Sequence, residues 1–280
     1  MNNFLERYSE DITSQNGEDG ILRRVFEILE IKKGWCVEFG AWDGKRYSNT
    51  YNLIENYGWS GILIESHPVR FKDLLKTYEH RDSVVCLNAF VSFEGSSSLD
   101  RLLSETTIPN NFDLLSIDID GNDYHIWDSI KEYHPKVVII EYNHTIQNAV
   151  DFTQPKDMSL NQGSSLSALI RLGREKGYEL IGTTTKNGIF VDRSLFHLFD
   201  IPDNSIDTMR LPSNEESYFF QLYDGTVMLR GNTKLLWNST PIREDKLQVY
   251  PKALREFRPE GKVKKVLQKI WRYFYTRRVV

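Results

Sequence analysis

The sequence predicts an α/β fold, a mostly parallel sheet with helices on both faces. A less regular C-terminal extension follows and ends in a basic amphipathic helix. Three observations predict it. Between about residues 10 and 190, short apolar runs alternate with amphipathic stretches of 10–15 residues, which is the pattern of βαβ units. Those runs are continuous in Val, Ile and Leu rather than alternating with polar residues, as strands covered on both faces require. In residues 261–280, apolar side chains recur every three or four positions among cations, the mark of an amphipathic helix. The first two together describe a Rossmann-like sheet.

Each element has its own justification. Ile21, Leu22, Val25, Phe26 and Leu29 fall at helical spacing within 17–31, and Trp35 to Gly40 is an apolar run closed by a glycine turn. Residues 48–58 suit a helix and Gly61–Glu65 a strand; Pro68–Tyr78 suits a helix and Val84–Asn88 a strand. Phe112–Ile119 reads as a strand, Asp123–Tyr133 as a helix, and Val137–Glu141 is the most continuous β-branched run in the chain. A polar loop over 143–163 leads to a helix at Leu166–Lys176, then to a hairpin formed by Tyr178–Thr183 and Gly188–Val191. The pattern weakens past residue 200. The expected organisation is a domain over 1–195, an irregular extension over 196–260 and a basic helix over 261–280.

Composition narrows the classes. The 280 residues are 40% hydrophobic and 26% charged, enough apolar side chain for a sizeable core and unlike a disordered chain. Cys36 and Cys86 lie in apolar runs that read as buried strands, so no disulfide framework is expected and the compartment should be reducing. No apolar run reaches the length of a spanning helix, and the N-terminus lacks a secretory layout. A cytoplasmic protein is expected. The net charge of −4 combines seven cations and no acids in 261–280 with −11 on the other 260 residues. An acidic body of this kind excludes a nucleic-acid partner.

Ligands of such sheets bind at the carboxyl ends of the strands, and the candidate chemistry is found there. The first strand ends Val37-Glu38-Phe39-Gly40-Ala41-Trp42-Asp43-Gly44. A dinucleotide pyrophosphate wants bare backbone amides with no carboxylate beside them. Glu38 and Asp43 beside the turn instead favour a cationic group, while Gly40 lets the backbone approach a ligand closely. Glu65, 25 residues after Gly40, is placed to accept ribose hydroxyl protons. Asn88, beside Ala89, ends the third strand where an adenine ring would lie. A ribose acceptor with carboxylates for an ammonium group fits S-adenosyl-L-methionine better than a nicotinamide cofactor. Glu38 as a helix cap and Glu65 as a solvated strand end are the plainer alternatives.

These stretches resemble the FkbM-like branch of the class I S-adenosylmethionine-dependent methyltransferases. The resemblance rests on Ser14-Gln15-Asn16-Gly17-Glu18-Asp19, on Val37–Gly44 followed by Ser48-Asn49-Thr50, and on Gly58-Trp59-Ser60-Gly61. Leu115–Gly121 and Ile140-Glu141-Tyr142-Asn143 complete it, so that it covers roughly 8–195. It implies methyl transfer to oxygen, commonly of sugars or hydroxylated natural products. Gln15 and Asn49, inside the resembling stretches, join Glu38, Gly40, Asp43, Glu65, Asn88 and Asp118 as expected cofactor residues. The chain departs from the pattern at Asp120-Gly121-Asn122-Asp123, where relatives often carry Glu-Gly.

The fourth and fifth strands end in Asp118-Ile119-Asp120 and Glu141-Tyr142-Asn143. Neighbouring strand ends converge, so Asp118, Asp120, Glu141 and Asn143 offer oxygen ligands suited to Mg²⁺ or Mn²⁺. A metal held there would acidify and orient an acceptor hydroxyl. Helix capping by the same residues is the alternative. Asp120 and His144 are the expected catalytic groups, with His125 the weaker choice for a base because it sits on a helix beside Ile126 and Trp127. The loop Ser14–Asp19 is expected to fold over the cofactor, and Asn161–Ser165 to face the acceptor.

In the C-terminal segment Val263, Val266, Leu267, Ile270, Trp271 and Phe274 form one stripe among Lys and Arg. Two readings stay open: a peripheral anchor on the inner membrane face, or docking onto the acidic body or a second subunit of a homo-oligomer. The expected activity is O-methyl transfer to a small-molecule or glycan acceptor. The alternative is a non-catalytic protein that keeps the cofactor fold and engages a membrane or partner through this helix.

Overall fold

The computed structural model describes residues 4–210, 216–235, 239–256 and 261–276. The chain divides into two compact units, Met1–Pro212 and Ser213–Val280. The first holds a seven-stranded sheet. Its strands are β1 (Trp35–Phe39), β2 (Ser60–Ile64), β3 (Val84–Leu87), β4 (Leu114–Ile117), β5 (Val137–Glu141), β6 (Tyr178–Thr183) and β7 (Asn187–Asp192). They lie in the order β3-β2-β1-β4-β5-β7-β6. β1 to β5 are mutually parallel, and β7 runs antiparallel to both β5 and β6. This is a Rossmann-like order, doubly wound outward from β1, closed at one edge by an antiparallel hairpin.

Alternate residues of the central strands feed two cores. Val37, Phe39, Leu115, Ile117, Val138 and Ile140 face one side, where they meet α4 (Leu99–Leu103), α5 (Asp123–Ser129) and α6 (Leu166–Glu175). Cys36, Leu63, Leu114, Val137 and Ile139 face the other, against α1 (Glu18–Ile28), α2 (Tyr51–Tyr57) and α3 (Pro68–Tyr78). Two buried faces explain why the strands read as unbroken apolar runs. Helix starts are specified locally. His67 caps α3 ahead of Pro68, and the Ser165 hydroxyl accepts from the Ala168 amide at the start of α6.

Three features differ from the sequence reading. Cys86 is only half-buried because β3 is the sheet edge, whereas Cys36 on central β1 is fully covered. Short α4 carries too few turns to show a period. In the second unit, a two-stranded ribbon of β8 (Ser217–Gln221) and β9 (Val227–Gly231) precedes α8 (Lys262–Thr276). The ribbon was not legible because β8 exposes both faces and only Val227 and Leu229 of β9 are buried. Near the end of the first unit, α7 (Ile206–Met209) is a single turn. Arg277 and Arg278 of the basic tail lie outside the described residues.

Candidate active site

The strand order reverses between β1 and β4, and a cavity of about 630 Å³ opens at the carboxyl ends of the strands there. Its position follows from connectivity: the loops after β1, β2, β3, β4 and β5 all end on this side. Of the expected residues, Gln15, Glu38, Gly40, Asn49, Glu65, Asp118, Asp120 and Glu141 line it together.

The β1 end is built around Glu38. Its buried carboxylate accepts from the hydroxyls of Ser48 (2.6 Å) and Thr50 (2.7 Å) and from the Asn49 amide (2.9 Å). Burial pushes this carboxyl above its ordinary value, and those donors oppose the shift. Glu38 thus fixes the start of α2 and sets Asn49, whose Nδ2 donates to Ser116 Oγ, against the cavity. Both oxygens of Glu38 are thus occupied by donors of the protein itself.

Gly40 adopts φ +74°, and a Cβ on it would lie 2.3 Å from the Asp118 carbonyl oxygen. Only glycine lets the β1 and β4 ends approach this closely. The following loop contains Trp42 and Tyr47, both at positive φ. Asp43 lies off the cavity: its Oδ1 accepts the amides of Lys45 (3.0 Å) and Arg46 (2.7 Å), closing the turn. Glu65 is buried, taking the Trp42 amide on Oε2 (2.9 Å) and the His67 amide on Oε1 (2.6 Å). Each oxygen keeps a lone pair beside the cavity. Asn88 is also off the cavity, its amide donating to the carbonyls of Glu65 and Ser66. Ala89, Phe90 and Val91 supply the wall there instead.

At the other end, Asp118, Asp120 and Glu141 bring carboxylate oxygens within 4.8 Å of one another. Asp120 sits at φ +57°, held by Asp123, whose oxygens accept the amides of Ile119 and Gly121 at 2.9 Å each. Asp118 reaches solvent through the cavity, yet protein surrounds it on the remaining sides. Desolvation, then the charges of neighbouring acids, raises both Asp118 and Glu141 above the ordinary carboxylate range, Glu141 further; Lys186 opposes the shift. Three oxygen donors grouped this closely suit a hard divalent cation. Asn143 is not among these donors. Its Oδ1 accepts from the Thr145 amide and hydroxyl and its Nδ2 donates to the Gln162 carbonyl. His144 is buried outside the cavity, with its carbonyl accepting from Arg210. The two expectations placed on Asn143 and His144 therefore find no support in where the side chains lie. His125 packs against the Gln154 carbonyl at 2.7 Å.

The Ser14–Asp19 loop is pinned rather than free. Asp19 Oδ2 accepts three consecutive amides, Ile12, Thr13 and Ser14, at 2.7–2.8 Å. Glu18 ties the loop to Thr184 and Asn187 at 2.8 and 2.9 Å. Gln15 is thereby presented over the cavity from a rigid support. Sequence reasoning missed Trp42, Arg46, Tyr47, Arg70 and Lys186, which also line it. The Arg70 guanidinium stands 4.1 Å from the Trp42 ring centroid, and Arg46 stands 5.2 Å from it. A run of cation and aromatic residues directly after the glycine turn was the available signal.

The fold and site define a Rossmann-like α/β protein with a ligand cavity at the switch point of its sheet. Residues 95–180 match the FkbM methyltransferase domain, and the resemblance read from the sequence holds over that segment, which carries Asp118, Asp120 and Glu141. No curated protein matches the chain. Among solved structures, the chain is similar to M. capricolum TrmK in complex with S-adenosyl-homocysteine. That pair shares 11% identity, covering 60% of this chain and 67% of that one, with TM-score 0.38. It is also similar to the N-terminal domain of EvdMO1 in the presence of S-adenosyl-homocysteine and D-fucose, at 12% identity, 66% and 84% coverage and TM-score 0.41. A third is the CurJ carbon methyltransferase, at 10% identity, 68% and 57% coverage and TM-score 0.42.

Proposed function

We propose that the protein is an S-adenosylmethionine-dependent O-methyltransferase acting on a sugar hydroxyl, of a surface glycan or a nucleotide sugar, with a divalent cation at the acceptor. The observation that carries this reading is one cavity with two chemically different ends. One end has Gly40 and the buried Glu65; the other has Asp118, Asp120 and Glu141.

The residues present fit the cofactor. Gly40 lines the cavity without a side chain, and Glu65 keeps acceptor capacity for two ribose hydroxyls. Phe90 and Val91 offer apolar contact for a base, and Asn49 and Gln15 offer amides for an amino-acid group. When bound, the cofactor supplies a methyl group on a sulfonium. The carboxylate cluster fits Mg²⁺ or Mn²⁺, which would supply acidification and orientation of a bound hydroxyl.

The chain's own part is positioning and proton transfer. Asp123 holds the turn that aims Asp118 and Asp120 into the cavity, while Glu38 holds Asn49 beside Gly40. A carboxylate of the cluster takes the acceptor's proton. Asp120, on its fixed turn, is the best placed.

The test is transfer of label from methyl-labelled S-adenosylmethionine to a panel of nucleotide sugars and glycan fragments, with Mg²⁺ or Mn²⁺ and with chelator. The reading expects a methyl ether, and a turnover loss of about a hundredfold in Asp120→Asn with cofactor affinity held within about threefold. Methylation at carbon or nitrogen, or full activity in that variant, would contradict it.

A further inference from the structure

The unit Ser213–Val280 leaves apolar side chains uncovered in two places. On α8, Val263, Val266, Leu267, Ile270, Trp271 and Phe274 are 42–72% exposed along one stripe. On the ribbon, Phe219 and Phe220 are 65% and 44% exposed. Single exposed apolar residues are ordinary, whereas a continuous stripe marks an interaction surface. Nor is α8 a loose end. Trp271 Nε1 donates to the Val249 carbonyl (2.6 Å) and Gln268 Nε2 to that of Leu254 (2.8 Å), so the folded unit presents the helix by one edge.

Charge identifies what covers the stripe. Lys262, Lys264, Lys265, Lys269 and Arg272 flank it, with no acid anywhere in 261–280. Residues 213–280 carry +7 while residues 1–212 carry −11. We propose that α8 lies in the plane of a bilayer bearing anionic headgroups, its stripe at the headgroup–acyl boundary and its cations among the phosphates. Trp271 and Tyr273 suit the headgroup level. No described helix is long and apolar enough to cross a membrane, so the helix rests on the surface rather than spanning it. A second copy is the poorer occupant. Pairing α8 with α8 brings two sets of like charges together, and docking it on another copy's acidic unit is a head-to-tail contact that need not close. The proposal is independent of the reaction assigned to the cavity.

The experiment is co-sedimentation of the full chain with vesicles of phosphatidylcholine alone, or with about a third phosphatidylglycerol. Binding on the order of tenfold tighter to the anionic vesicles, weakening with salt, is expected. Lys265→Glu/Lys269→Glu and Ile270→Ser/Phe274→Ser should each lose about tenfold or more. Hydrogen exchange over 262–274 in the unaltered protein should slow on adding the anionic vesicles, a readout independent of how the variants fold. Three results would overturn the proposal: no binding to anionic vesicles at low salt; binding unaffected by the apolar pair and matched by soluble heparin; or a lipid-free oligomer that Ile270→Ser/Phe274→Ser turns into a monomer.

Discussion

The Gly40 backbone packs against the Asp118 carbonyl so closely that a Cβ at position 40 would lie 2.3 Å from that oxygen. This contact joins the two halves of the cavity, since β1 ends in the glycine turn and β4 in the acidic turn. Gly40→Ala must separate those strand ends and also hold alanine at φ +74°. A stability loss of about 2 kcal/mol or more is expected in denaturant unfolding, together with weakened binding of S-adenosylhomocysteine. An unchanged midpoint would show that the strand ends are compliant.

Asp123 is fully covered by protein, and desolvation pushes its carboxyl up to about 6, although two amide donors oppose the shift. Those amides, Ile119 and Gly121, have it as their acceptor in the turn that holds Asp120. Asp123→Ala leaves both without a partner and should cost about 2–4 kcal/mol. The same variant should lose turnover out of proportion to cofactor affinity, because Asp120 loses its support.

The acidic cluster makes a prediction separate from methyl transfer. Manganese binding followed by electron paramagnetic resonance should show one site of micromolar to millimolar affinity. Asp118→Asn/Glu141→Gln should weaken it by about a hundredfold or more. Asn143→Ala should leave it within about threefold, because the Asn143 amide is engaged by Thr145 and Gln162. A large loss in Asn143→Ala would return that residue to the ligand set.

Lys176 tests the electrostatics of the fold away from the cavity. Its ammonium donates to the Ile130 carbonyl at 2.7 Å, and burial, then the charge of Lys131, lowers its pKa to about 8 from 10.5. A folded-state value below the unfolded one means that the unfolded chain holds the extra proton between about pH 8 and 10.5. This group therefore adds stability as pH rises through that window. The stability of Lys176→Met relative to the unaltered protein should be highest below pH 8 and fall steadily up to pH 10.5. Parallel pH profiles would mean that Lys176 is well solvated.

Much of the fold was legible because the central strands are short, predominantly apolar runs and the longer helices show a 3.6-residue period. The limits of α3 and β5 were read to the residue, at Pro68 and at Glu141, where a helix-starting proline and a chain-reversing polar stretch mark the ends. In the second unit the helix α8 was legible from its three- and four-residue spacing, but the ribbon was not, because Phe219 and Phe220 are exposed on opposite faces and leave no pattern to read. At the site, residue types at strand ends could be read, but side-chain direction could not. Asp43 and Asn88 have the right chemistry at the right place in the sequence, yet Asp43 turns to amides of its own loop and Asn88 to carbonyls at the end of β2. Arg70 and Lys186 approach from elements whose sequences carry no motif. Their contribution arises only when the sheet brings the loops after β2 and β6 to one cavity.

The central claim is that the Gly40–Glu65 end of the cavity binds S-adenosylmethionine. Titration calorimetry with S-adenosylhomocysteine, alone and against NADH as competitor, tests it most directly. The account predicts micromolar binding to the unaltered protein, no displacement by NADH, and a loss of about tenfold or more in Glu65→Ala. A folded protein that binds no S-adenosylhomocysteine, or that binds NADH through Glu65 instead, would contradict it.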